Sequence, residues 1–206
     1  QYMDQQDTPL ETGYLLRIGI DHFKEINDNF GQEYGDFVLK KTADCISGCI
    51  SEGQNVYKLV ADEFLILDVS SDEAKDADKL YDKVREAIDR FIETNEFKVM
   101  YTVSGGIVPF AALKGNQYAE ALKLTDFALN EAKKLGRNRC YIFDGETYRK
   151  FLRKREITQE LREAVINGFQ GFTAFYQPVF AEDKKVPYGA EALMRFTSEK
   201  LGMISP

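Results

Sequence analysis

Apolar positions along the chain switch between a strand-like and a helix-like rhythm. Tyr14–Ile20 (YLLRIGI) is a short apolar run that predicts a buried strand. A helix is expected from about Phe23 to Phe30, then a glycine-rich break at Gly31–Gly35. A second helix, capped by Asp36, should run to about Ile50. Asn55–Val60 and Phe64–Val69 are strand-like and separated only by Ala61, Asp62 and Glu63, which is hairpin spacing. Asp72–Phe91 opens with acidic residues and carries an apolar stripe at Ala77, Leu80, Val84, Ala87, Ile88 and Phe91, so it predicts an amphipathic helix. Phe97–Val108 returns to strand character, and Gly105–Gly106 would permit a bulge or a close backbone contact. Tyr118–Leu135 predicts a helix stopped by Gly136, followed by a strand at Cys140–Phe143.

The order β-α-α-β-β-α-β-α-β predicts an α+β fold, a mixed sheet flanked by helices. Gly145–Asn167 is charged, with Tyr148, Leu152, Leu161 and Val165 spaced for one helical face, and predicts a connecting helix. Phe172–Phe180 and Tyr188–Met194 are strand-like. The seven residues between them are too few for a parallel crossover, so an antiparallel pair is expected.

Composition narrows the class. Of 206 residues, 44% are hydrophobic and 30% charged, and the two are interleaved, which suits a folded chain. A net charge of −7 argues against a nucleic acid or an anionic membrane as partner, so any nucleotide site must be a local cationic spot. No apolar run is long enough to span a bilayer, and no signal-peptide pattern is present. Cys45, Cys49 and Cys140 form no CxxC pair, and Cys45 and Cys49 read as small core residues of a helix; a reducing, cytoplasmic setting is expected. His22 is the sole histidine, which leaves little material for a histidine-rich zinc site or a serine-histidine triad.

Three segments in order carry a family resemblance. IDHFKEINDNFGQEYGD (Ile20–Asp36), VADEF (Val60–Phe64) and AKKLGRNR (Ala132–Arg139) resemble the signatures of GGDEF domains, over roughly Leu15–Phe143. The resemblance implies a nucleotidyl-cyclase palm-like (ferredoxin-like) sheet that binds GTP and, in active members, joins two GTP molecules into cyclic di-GMP. FYQPVF (Phe175–Phe180), GAEALMRF (Gly189–Phe196) and GMISP (Gly202–Pro206) resemble the opening of an EAL domain, a TIM-barrel phosphodiesterase of cyclic di-GMP. Such a barrel takes ~250 residues, so only an incomplete fragment of it is expected here. The expected division is a GGDEF domain at 1–144, a linker helix at 145–168 and the start of an EAL domain at 169–206. The D-x-L-T-G-L-x-N-R opening of GGDEF domains is not found before Tyr14, and an upstream truncation is expected.

The resemblance also assigns site residues. Two carboxylates hold Mg²⁺ in active members. The one at the third motif position is Asp62, whereas the first-strand aspartate falls at Gly19, which weakens the metal site. Val60 and Ala61 replace the paired glycines that permit positive φ and close phosphate approach, so a different turn is expected. Glu63 matches the catalytic carboxylate near the attacking hydroxyl, or is an exposed hairpin charge. Asn27 and Asp36 match the guanine-contacting pair, or cap helices. Lys133 and Arg137, four apart, are expected to share a helical face and grip phosphates, or to be cations favouring a helix C-terminus. The inhibitory R-x-x-D motif is absent at Ser51–Gln54. In the EAL-like segment Glu191 matches a metal ligand, with Gln177 and Arg195 near substrate, or all three are plain strand residues.

Three readings follow for the cyclase-like part: a regulatory pseudoenzyme that binds GTP or cyclic di-GMP and signals to its EAL domain, a nucleotide-free module that dimerises, or a weakly active cyclase. Gly19, Val60 and Ala61 argue against the last, and Asn27, Asp36, Lys133 and Arg137 favour the first over the second.

Overall fold

The strand β1 (Tyr14–Ile20) is buried on both faces, with only Arg17 partly exposed, and the fold is assembled around it. The computed structural model describes residues 12–71, 74–94, 99–114, 118–182 and 185–204. The chain divides after Gly145 into two compact units. In the first, β1 is the middle strand of a sheet ordered β2 (Gln54–Lys58), β3 (Glu63–Asp68), β1, β4 (Val103–Pro109) and β5 (Cys140–Ile142). Only β4 and β5 run parallel.

Alternation along the strands sorts the two faces. Tyr14, Leu16, Ile18 and Ile20 join Phe64, Ile66, Val103 and Ile107 in one core, covered by α2 (Gln32–Cys49) and α3 (Ala74–Thr94). Leu15, Arg17 and Gly19 turn toward α4 (Tyr118–Lys134) on the other face. The expected mixed, helix-flanked sheet is the fold.

The paired glycines of β4 serve close approach, not a bulge, since the β1–β4 register is continuous. A β-carbon at Gly106 would collide with the Leu129 backbone nitrogen and lie 2.7 Å from the Ala128 carbonyl carbon of α4. On the opposite face, one at Gly105 would lie 2.7 Å from Cys140 Sγ and 2.8 Å from the Tyr81 ring. Burial pushes the Cys140 thiol well above its ordinary range. Cys45 and Cys49 are partly buried against the α2–α3 core, as small core residues would be.

Several element boundaries differ from expectation. Asp36 does not cap α2, because Gly31, at φ 84° and ψ 163°, re-aims the chain so that the helix starts at Gln32 and Asp36 falls in its second turn. Gly35 lies inside the helix, where Asn27 packs on its α-carbon and leaves no room for a side chain. Strand pairing in β4 begins at Val103 rather than Phe97; residues 95–98, like Asp72 at the expected start of α3, lie outside the described residues. Positive φ in the hairpin falls on Ala61 (54°), which tolerates it better than β-branched Val60; Val60 is left 85% exposed.

The second unit contains α5 (Gly145–Ile166) and an antiparallel sheet ordered β6 (Phe172–Phe180), β7 (Pro187–Ser198), β8 (Gly202–Ile204). The β6–β7 antiparallel pair was expected; β8, and the extension of β7 beyond Met194, were not. Ser198 Oγ donates to Glu160 Oε2 at 2.6 Å, tying the sheet to α5. Among the described residues no helix is long and apolar enough to cross a membrane.

The end of β3 is fixed by Asp68, which is wholly buried. Its carboxylate accepts from Gln54 Nε2 (2.6 Å), from Ser70 N–H and Oγ (2.7 and 2.8 Å) and from Ser71 N–H and Oγ (3.1 and 2.8 Å). Burial alone would raise its pKa, but these hydrogen bonds together bring it down to about 2. A folded-state pKa below the unfolded value contributes stability that is complete above the unfolded pKa and is lost as pH falls toward the folded one. Asp68→Asn is therefore expected to cost about 2 kcal/mol at pH 7 and to flatten the loss of stability between about pH 4 and pH 2. Urea unfolding of both proteins at neutral and acid pH checks this; an unchanged acid profile would sink it.

Candidate functional site

The C-terminal end of β1 brings together the chain turn at Asp21, the β2–β3 hairpin and the last turn of α4. Asp21 is 2% exposed, and its carboxylate accepts from Thr102 Oγ1 (2.7 Å), Ser104 Oγ (2.7 Å) and the Asn138 N–H (3.2 Å). Its own N–H donates to the Thr102 carbonyl at 2.8 Å. One buried carboxylate therefore joins β1, β4 and the turn after α4.

That turn is left-handed at three successive residues, Gly136 (φ 117°), Arg137 (61°) and Asn138 (47°). Because α4 ends at Lys134, Arg137 is outside the helix and does not share a helical face with Lys133, contrary to the spacing argument. Lys133 is partly buried, and its ammonium lies over β1: a β-carbon at Gly19 would sit 3.1 Å from Lys133 Nζ and 3.2 Å from Leu129 Cδ2. Arg137 is exposed.

The hairpin delivers Asp62 and Glu63. The Asp62 carbonyl accepts from the Ile20 N–H at 3.3 Å, so the hairpin is stitched to the end of β1, and Glu63 stands directly across from Gly19 in the β1–β3 register. The Glu63 carboxylate is held by Arg17. Arg17 Nε donates to Glu63 Oε2 at 2.8 Å and its Nη2 donates to the same oxygen. Arg17 also donates from Nη1 to the Leu122 carbonyl (3.2 Å) and lies 3.4 Å from Asp126 Oδ1, so it links the hairpin to α4. Lys58 Nζ folds back beneath the hairpin, donating to the carbonyls of Leu59 (3.1 Å) and Ala61, 5.1 Å from the Phe64 ring centroid. Burial lowers its pKa, against the opposing charges of Asp62 and Glu63.

Asn27 and Asp36 lie on α1 (Phe23–Phe30) and α2, either side of Gly31, with Asn27 partly buried on Gly35 and Asp36 exposed. A cavity of about 660 Å³ opens on the other face of α1, lined among others by His22, Glu25, Phe30, Asp89, Met100 and Asn138. Asn27, Asp36, Lys133 and Arg137 do not line it. In the second unit, Gln177 and Glu191 are directly opposed in the β6–β7 register. Arg195 is four residues beyond Glu191 on the same strand and so shares its face, with its guanidinium 6.0 Å from the Phe175 ring.

Arg17, Asp21 and Asn138 were not picked out from sequence as site residues. Arg17 had a signal: it is the lone charge in YLLRIGI and two positions from Gly19, hence on the same face of a strand. Asp21 and Asn138 had none, because their meeting depends on how α4 docks.

The family model described as "Diguanylate cyclase, GGDEF domain" matches residues 1–139. The chain is 27% identical over 193 residues to the cyclic di-GMP phosphodiesterase NbdA of Pseudomonas aeruginosa, covering 93% of this chain and 24% of that protein. It is also 27% identical over 192 residues to the bifunctional diguanylate cyclase/cyclic di-GMP phosphodiesterase MucR of the same organism, covering 93% and 27%. It thus spans about a quarter of the length of these relatives. Among solved structures, the active GGEEF domain of a diguanylate cyclase from Vibrio cholerae superposes with a TM-score of 0.54 at 30% identity, covering 64% of this chain and 83% of that one.

Removing the Asp21 carboxylate would leave two hydroxyls and the Asn138 N–H without their acceptor. Asp21→Ala is expected to destabilise the first unit by about 2–4 kcal/mol and to raise protease cleavage at Arg137 or Arg139. Denaturant titration and limited trypsinolysis check this; unchanged stability together with unchanged cleavage would refute it.

Proposed function

The chain belongs to the GGDEF family, and from that premise we propose that its first unit is a regulatory domain that binds a guanine nucleotide without cyclising it. We further propose that it acts on a cyclic di-GMP phosphodiesterase domain whose first strands are β6 and β7. The observation that carries the first proposal is the end of β1, where glycine occupies residue 19 and the Lys133 ammonium stands beside it. Joining two nucleoside triphosphates requires a metal to neutralise phosphate charge and to help ionise a 3′-hydroxyl. With Asp62 as the only carboxylate of the family's pair, Mg²⁺ binds weakly.

What remains suits recognition without chemistry. Asn27 supplies an amide and Asp36 a carboxylate able to accept from the ring and amino N–H groups of guanine. Lys133 and Arg137 supply positive charge for the phosphates, Arg137 from an exposed left-handed turn rather than from a helix. In the second unit, Glu191 is proposed as a metal ligand, with Gln177 opposite it and Arg195 on the same face as substrate contacts. The names of NbdA and MucR support the link to cyclic di-GMP hydrolysis.

GTP is expected to bind in the micromolar to millimolar range, ~−8 to −4 kcal/mol, with no cyclic di-GMP formed. Asp36→Ala should abolish the preference for GTP over ATP, because a site built to hydrogen-bond a group loses selectivity without its partner. Arg137→Ala should weaken both nucleotides alike. Calorimetric titration tests the three binding statements and chromatography of the GTP incubation tests for cyclic di-GMP; absence of GTP binding at millimolar concentration would end this reading.

A further inference from the structure

The face of the sheet where this family is expected to hold Mg²⁺ carries cations in this chain. Residues 19 and 62 are the positions of the family's metal-binding pair, and Glu63 is the further carboxylate directly across from residue 19. At residue 19 there is no carboxylate, and Lys133 Nζ stands where one would project. At residue 63 the carboxylate is present, but both nitrogens of the Arg17 fork that face it donate to the same oxygen. At residue 62 the carboxylate lies within the field of Lys58, whose own ammonium is fixed to two hairpin carbonyls. Among the described residues no three histidine, cysteine, aspartate or glutamate side chains converge on a point that could hold a metal ion. A divalent cation brought to this site meets Arg17 and Lys133 with little negative charge to offset them, and an oxygen-ligand site binds according to the carboxylate charge it offers. The residues present do not fit the metal.

We propose that Arg17 is the positioning residue that converts this end of the sheet from a divalent-cation site into a metal-independent site for a polyphosphate tail. Arg17 does so by neutralising Glu63 and fixing it to α4 through Leu122 and Asp126, while the Lys133 ammonium stands beside Gly19 on the same side of β1. The inference rests on the reading of this site as a nucleotide pocket. It adds to that reading a definite consequence: restoring aspartate at residue 19 does not rebuild the metal site. The new carboxylate would stand against Lys133 and be consumed in an ion pair, while Glu63 stays with Arg17.

The test uses the whole chain as wild type, Gly19→Asp, and Gly19→Asp combined with Arg17→Leu, with melting curves to confirm folding. Should Arg17→Leu not fold, Arg17→Gln serves, since it keeps a donor for Leu122 without the charge. Mn²⁺ binding is followed by the loss of the free-ion spectrum in electron paramagnetic resonance. The double variant is expected to bind Mn²⁺ at least about tenfold more tightly than Gly19→Asp alone, the size of effect seen when a ligand's supporting contact changes. Equal affinity of the single and double variants would overturn the role of Arg17. In parallel, GTP is titrated into wild type in EDTA and in Mg²⁺. Affinities within about threefold of each other, roughly 0.7 kcal/mol or less, are expected, and a tenfold gain from Mg²⁺ would overturn metal independence. If wild type binds no GTP under either condition, the nucleotide reading fails while the Mn²⁺ comparison still decides what Arg17 does to the carboxylates.

Discussion

The distance at which α4 lies on the sheet governs the rest of the first unit. Gly106 removes the one side chain that would hold the helix off, and the backbone of Ala128 and Leu129 drops onto β4. A methyl group there would force either the helix or the strand to move, and a close-packed interior does not absorb such a shift cheaply. From that docking height the remaining geometry follows. Lys133 reaches Gly19, the Leu122 carbonyl comes within reach of Arg17, and the left-handed turn after α4 meets Asp21.

Two polar systems, of different character, then lock what the helix has placed. Asp21 is a buried carboxylate served entirely by neutral donors, two from around the start of β4 and one from the turn after α4. It specifies one arrangement of β1, β4 and the turn, because any other would strand a charge in the interior. The Arg17–Glu63 pair is less buried, with the two side chains 13% and 19% exposed. Burying charges costs desolvation that pairing repays only with good geometry, so such a pair is better read as fixing orientation than as a large source of stability.

Much of the fold was legible because the periodicities are strong. YLLRIGI can only be a buried strand, and the apolar stripe from Ala77 to Phe91 only one face of a helix. Local backbone effects were harder to read. Asp36 has the chemistry of a helix cap, but Gly31 supplies the turn five residues earlier, and a capping residue is used only where the backbone actually enters the helix. Lys133 and Arg137 have helical spacing, but the helix stops between them. The ion pair that occupies Glu63 was invisible for another reason. Residues 17 and 63 are 46 positions apart, and nothing local to either announces the other.

The glycine at residue 105 has a consequence on the opposite face. Without a side chain there, Cys140 Sγ settles between β4 and the Tyr81 ring, and burial holds its thiol protonated far above neutral pH. Alkylating reagents attack the thiolate, so Cys140 is shielded for as long as β5 stays paired. β5 is only three residues long and sits at the sheet's edge, directly after the turn that Asp21 pins. The rate at which Cys140 becomes labelled is therefore a clock for the opening of that edge. It measures how often the segment carrying Arg137 and Asn138 lifts away from the strand beneath it.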